Sequence, residues 1–309
     1  MKIGYPCINT SIERHSSSTF RLASYSERRL VQTVRDNLIH LDKILKYNVQ
    51  HHLMFFRISS DLVPFASHPI CKFNWINHFK SEFRRLGQYI KANNIRISMH
   101  PDQFVVLNAF NEKVTTSSIN ELEYHCNILD AMDLDQTAKV QIHIGGVYGN
   151  KPRAMKRFIE CYSALNESIK NRIAIENDDH LFSLQDCLDI NELTGIPVIF
   201  DNFHHECFNY KEESTIQAIK KAILTWKVKD GLAMLDYSSQ SKGERKGKHA
   251  TTLDPSLFRK FIMESQSVDF DLMLEIKDKE KSAILAFKIL FDTRQSFATK
   301  YVDHSLMVL

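Results

Sequence analysis

Apolar residues in this 309-residue chain come in short bursts rather than long runs. Eight bursts, at 2–9, 53–60, 95–100, 139–146, 172–177, 197–202, 232–238 and 271–276, are rich in Ile, Val, Phe and Met. Most are apolar at successive positions. Such a strand is covered on both faces, as in a parallel sheet flanked by helices. The segments 26–48, 74–92, 117–134, 152–170, 183–194, 213–227, 255–265 and 280–298 carry apolar residues at three- and four-residue spacing and predict helices. Ser118 ahead of Glu121, Ser183 ahead of Asp186, and Asp254-Pro255 read as helix starts. The stretch 299–309 gives no assignment.

Eight strands, each followed by a helix, predict an α/β chain folded as a (β/α)₈ TIM barrel, with 1–309 as a single domain. A doubly wound open sheet would call for a Gly-rich turn after an early strand. The first strand instead ends in Cys7-Ile8-Asn9. The most polar stretch, 238–252, is expected to be a long loop.

Composition narrows the class. A 43% hydrophobic and 25% charged chain is that of a soluble globular protein. No apolar run approaches the ~20 residues that span a bilayer, so no membrane partner is expected. MKIGYPCINTS has no secretory pattern. The six cysteines are scattered without a CxxC pair, which fits reduced thiols and a cytoplasmic location. With 40 basic against 37 acidic residues, the charge permits a locally basic face without requiring one.

The chemistry is expected at the strand ends. In a barrel the C-terminal ends of the strands share one rim, and catalytic groups gather there. Those ends read Asn9, Ser59-Ser60-Asp61, His100, His143, Glu176, Asp201 with His204, Asp236 and Glu275, with His68 and His249 in rim loops. His143 stands just before the pair Gly145-Gly146. Singly, each has a plain structural explanation. A strand-end histidine is usually just a satisfied polar group, and Asp201-Asn202 suits a turn or a helix cap. Glu176 and Glu275 end strongly apolar strands, where a carboxylate is costly unless it is paired, as with Arg57 or Lys277, or bound to metal. Convergence of all of them on one rim favours a multinuclear metal site. Imidazole and carboxylate without cysteine suit Mn²⁺, Zn²⁺ or Fe²⁺. Clusters of that kind hydrolyse phosphate esters.

The stretches GYPCIN, FFRISSDLVPFASH, SMHPDQFVVLN, HIGGVYGNK, IAIENDD, DNFHH, YSSQ and LEIKDKE resemble the UV damage endonuclease (UvsE/UVDE) family, from Gly4 to about Glu280. The resemblance implies a metal-dependent barrel similar to endonuclease IV. It also implies nicking of DNA 5′ to UV photoproducts and some other lesions without ATP or any nucleotide cofactor. The partner is then damaged double-stranded DNA, with the enzyme nucleoid-associated when bound. Its metal ligands fall on His100, His143, Glu176, Asp201, His204, His249 and Glu275, of which His100, His143, Glu176 and Glu275 carry the catalysis. A cluster of two or three divalent ions is implied, manganese ahead of zinc or magnesium. The lesion-probing pair falls on Gln103 and Phe104. Tyr5 and Asn9 match lesion-pocket positions, and His68 matches a site histidine. Lys151, with Arg153, Lys242, Arg245, Lys246 and Lys248, lies in rim loops suited to phosphate.

One position departs from the family. Some members carry Lys-x-His on the seventh strand, the lysine carboxylated at the metals. Here the positions read Met234-Leu235-Asp236. Met234 cannot be carboxylated, and Asp236 is expected to supply an oxygen ligand in place of the histidine. The runner-up function is a metal-dependent sugar isomerase or epimerase on the same barrel. A lesion-binding protein without catalysis ranks last, because most of the ligands are present.

Overall fold

The computed structural model describes residues 1–13, 16–209 and 213–306, with side chains described as far as 293. Its strands are β1 (Ile3–Pro6), β2 (Phe55–Ile58), β3 (Arg96–Met99), β4 (Lys139–His143), β5 (Ile173–Glu176), β6 (Val198–Asp201), β7 (Met234–Tyr237) and β8 (Asp271–Leu274). They pair in parallel in chain order and close into a barrel, β8 returning to β1. Every observed strand lies inside its predicted segment. The pleated core of each is only four or five residues long.

The helices are α1 (Glu27–Gln50), α2 (Trp75–His78), α3 (Lys80–Ala92), α4 (Glu112–Ala131), α5 (Lys151–Ala164), α6 (Glu167–Lys170), α7 (Leu184–Thr194), α8 (Asn202–Cys207), α9 (Thr215–Leu224), α10 (Pro255–Glu264) and α11 (Glu280–Leu306). The predicted helix 152–170 is broken into α5 and α6, since Asn166 takes an extended backbone and caps Ile169. Ser183 and Asp186 form the expected capping box, and Asp254 caps α10 ahead of Pro255. Ser118 is no cap. Helix α4 starts seven residues earlier at the cap Asn111, and the Ser118 hydroxyl donates to the Val114 carbonyl. No helix among the described residues is long and apolar enough to cross a membrane.

Two apolar layers hold the barrel. The larger lies between strands and helices and includes Phe56, Ile58, Val140, Ile142, Ile175, Phe200 and Leu235. The smaller fills the lumen with Phe55, Ala174, Ile199, Met234 and Met273. Side chains two residues apart on a strand share a face. Counting two residues on from this plug gives Arg57, Glu176, Asp201, Asp236 and Glu275. The pleat thus raises a ring of charge directly above a dry apolar floor.

Candidate metal centre

Glu176 is the hub. His100 Nε2 lies 3.4 Å and His143 Nε2 3.7 Å from its Oε2, while His204 Nδ1 lies 3.1 Å from its Oε1. Potential ligand atoms of His100, His143 and Glu176 fall within 4.8 Å of one another, and so do those of Glu176, Asp201 and His204. Glu176 belongs to both groups. The imidazoles of His100, His143, His204 and His249 follow each other around the rim, with ring centres 5.3, 5.9 and 5.8 Å apart. His204 is there because α8, a helix missed in the sequence, begins directly at the end of β6. Asp201 caps it, accepting from the His204 backbone N–H at 2.6 Å. The cap and the ligand reading of Asp201 are therefore compatible, since its Oδ2 is left over.

The donor set fits divalent metal. Asp201 Oδ2 and His143 Nδ1 are buried without a hydrogen-bond partner. A native interior seldom leaves such atoms unsatisfied. The Nδ1 atoms of His100, His204 and His249 each meet a backbone carbonyl, of Pro101, Asn177 and Glu275, at 2.8, 3.0 and 2.9 Å. A carbonyl only accepts, so Nδ1 of His100 and His249 carries the proton and Nε2 keeps its lone pair, the arrangement metal-binding histidines use, whereas His204 Nδ1 also faces Glu176 and Asp201 at 3.1 and 3.7 Å.

Electrostatics point the same way. Burial drives the Asp201 carboxyl well above the usual range and pulls His143 down. Burial also opposes the charge on Glu176, but His143, His100 and His204 outweigh it and hold the carboxyl well below its ordinary value. His204 is pushed up to about 12, against burial, by Asp201 and Glu176. Four carboxylates, Glu176, Asp201, Asp236 and Glu275, face one fixed cation, Arg57. Histidine protons, or divalent cations in their place, must balance the rest.

Asp236 lies on β7, facing inward as expected, but its carboxylate meets protein donors. It is fully buried, its two oxygens lie 3.0 and 2.8 Å from Arg57 Nη2, and Gln141 Nε2 donates to it at 2.5 Å. Its carboxylate is thus spent on protein donors rather than left free for an ion. Arg57 also pairs with Glu275, and Gln141 Nε2 is 2.5 Å from Glu176 Oε2. Arg57, Gln141 and Asp236 therefore form a polar layer beneath the rim that fixes both glutamates. Arg57 was foreseen only as an ion-pair partner, and Gln141 was not foreseen at all. The available signal was a polar residue at an inward position of an otherwise apolar strand, FFRIS and KVQIH.

Several other expected contacts lie apart. Tyr5 and Asn9 are fully buried; the tyrosine hydroxyl bonds Asn48 at 2.6 Å and accepts from Asn9 at 2.8 Å. Closed off by those bonds, they present no surface to DNA as they stand. His68 is exposed, lines a cavity of about 370 Å³ with Asp102 and Phe104, and belongs to neither ligand group. Lys151 opens α5, but its ammonium pairs with Asp186 at 2.9 Å above Phe182 and Phe208. Ser60 Oγ donates to the His100 carbonyl, and Ser59 caps a short turn of 3₁₀ helix. Phe104, in contrast, stands 63% exposed beside the exposed Gln103 in the loop after β3. A groove of about 770 Å³ borders His249 and Glu275 and is lined by Arg245, Lys248, Lys277 and Lys279.

Residues 1–299 match the family model described as UV-endonuclease UvdE. A Clostridium perfringens protein named UV DNA damage endonuclease is 38% identical over 97% of this chain and 73% of its own length. The crystal structure of SacUVDE superposes with a TM-score of 0.91 at 45% identity, covering 95% of this chain and 99% of that one. Endonuclease IV from Thermus thermophilus shares the fold alone, at 14% identity and TM-score 0.58 over 83% of this chain and 94% of its own. With a whole-chain family match and a relative of this similarity, the chain belongs to the UV-endonuclease UvdE family.

Proposed function

We propose that this chain is a metal-dependent repair nuclease that nicks the phosphodiester backbone of damaged double-stranded DNA on the 5′ side of UV photoproducts. The relatives' name, UV DNA damage endonuclease, supplies the substrate. Family membership also decides against the sugar isomerase. The observation that carries the reading is Glu176, common to two ligand groups at the barrel mouth, beside a groove with four basic residues.

His100, His143, Asp201 and His204 would hold the metal, together with Glu176, which is common to both ligand groups. His249 and Glu275 face the groove, where the backbone phosphates run against Arg245, Lys248 and Lys277. When bound there, divalent ions, manganese first, supply Lewis-acid activation of water and of the scissile phosphodiester. Gln103 and Phe104 enter the duplex at the lesion, the ring replacing lost stacking and the amide replacing lost pairing. The setting that follows is the cytoplasm, on nucleoid DNA. Nicking of irradiated and unirradiated plasmid by the purified protein, with each divalent cation added back after chelation, tests this. Metal-dependent nicking confined to irradiated plasmid is expected; equal cutting of both plasmids, or none with any cation, refutes it.

A further inference from the structure

The glycine pair after His143 opens a second feature of the rim. Gly145 has φ +111°, and a Cβ there would stand 2.5 Å from Asn108 Oδ1; a Cβ on Gly146 would stand 3.0 Å from the Tyr148 ring. Both glycines thus make room for something. Asn108 crosses from the loop after β3 and donates to the Gly146 carbonyl at 2.9 Å, stitching the two loops together. Arg157 of α5 adds a second stitch, Nε to the Asn108 carbonyl at 3.0 Å.

The stitched loops hold an aromatic group against solvent. Phe110 is 67% and Tyr148 43% exposed, with ring centres 4.9 Å apart. The Arg157 guanidinium lies 4.0 Å from the centre of the Phe110 ring and 5.3 Å from that of Tyr148. Tyr148 takes φ +48°, which is unfavourable for a residue with a Cβ. An exposed aromatic pair over a cation, one member of it on strained backbone, is not core packing, and such strain gathers at binding sites.

We propose that Phe110, Tyr148 and Arg157 form a stacking platform for a nucleobase of the substrate DNA, separate from Gln103 and Phe104. The proposal rests on the endonuclease reading above. DNA is the occupant because the two loops continue the strands that end in His100 and His143, so the platform shares the face of the metal centre. The guanidinium backs the rings with positive charge, and exposed Lys113 and Arg153 open the helices α4 and α5 at the same rim. Aromatic faces accept any base, so the contact adds affinity without sequence preference.

The test uses the full chain and a defined lesion-bearing duplex carrying 2-aminopurine at successive positions around the lesion. Binding is measured with calcium present and nicking with manganese. Phe110→Ala/Tyr148→Ala should bind on the order of 10-fold more weakly and lose the aminopurine quenching at one position. Phe110→Trp should retain both, and metal content should match wild type throughout. Unchanged affinity and quenching in a double variant, while wild type nicks the lesion duplex, overturns the platform but leaves the nuclease reading. Failure of wild type itself to bind or nick overturns both. Loss of self-association in place of DNA affinity would make the rings a contact between copies and also overturns it. Should the double variant lose its cooperative melting, Phe110→Ser, at a largely exposed position, carries the same comparison.

Discussion

Asp236→Ala separates a ligand from a support. If Asp236 held an ion, its removal would release about one ion per chain. The structure instead gives its oxygens to Arg57 and Gln141, so the ions keep their ligands and lose the layer that orients Glu176 and Glu275. Arg57 is about 3% exposed and would keep Glu275 as its remaining anionic partner. Breaking a buried pair costs ~3–5 kcal/mol; with one partner retained, about 3 kcal/mol is expected, a fall in Tm of roughly 6 °C at ~2 °C per kcal/mol for a large domain. Misoriented ligands cost ~10–100-fold in metal affinity or activity. Burial, ahead of the opposing Arg57, raises the Asp236 carboxyl to about 7. Asp236→Asn therefore mimics a form close in energy and should be milder than alanine. Thermal melting and metal counting by mass spectrometry under saturating metal are the assays. An alanine variant that melts like wild type yet binds one ion fewer refutes the supporting role.

Three further outcomes follow. Glu176→Gln should keep the barrel but lower bound metal and abolish nicking of lesion-bearing DNA; full activity at wild-type metal content would rule out the bridging role. Replacing Gln103 and Phe104 with alanine should weaken binding to a lesion duplex with metal content intact, and equal affinity by anisotropy would sink the wedge. His125 is buried, with its Nε2 2.9 Å from Ser60 Oγ, and burial lowers it to about 4. The unfolded chain, with an ordinary histidine near 6.5, takes up that proton first on acidification. The contribution is therefore complete above about pH 6.5 and lost as pH falls toward 4, reaching about 2 kcal/mol by pH 5. Denaturant unfolding at pH 7.5 and 5 should show His125→Gln losing less stability than wild type; equal losses would contradict the assignment.

Much of this protein was written locally. Strands apolar on both faces, alternating with amphipathic helices, determine a parallel sheet covered on both sides, and eight such units without a Gly-rich turn after the first strand point to the barrel. The barrel then puts each strand's last residue on one rim, so His100, His143, Glu176, Asp201 and Glu275 were legible as a set before any distance was known. Which of these groups meet is a tertiary matter. Asp236 lies one residue before the end of β7 and Asp201 ends β6, and the two are paired in register. Asp201 keeps an oxygen free, because its neighbour is the short helix α8 that it caps. Asp236 faces Arg57 and Gln141, brought from strands 179 and 95 residues away in sequence. Tyr5 likewise reads as a site residue, yet the fold turns its hydroxyl onto Asn48 in α1. A carboxylate's partners across a barrel depend on which side chains fill the lumen at its height, and no local pattern of residues encodes that.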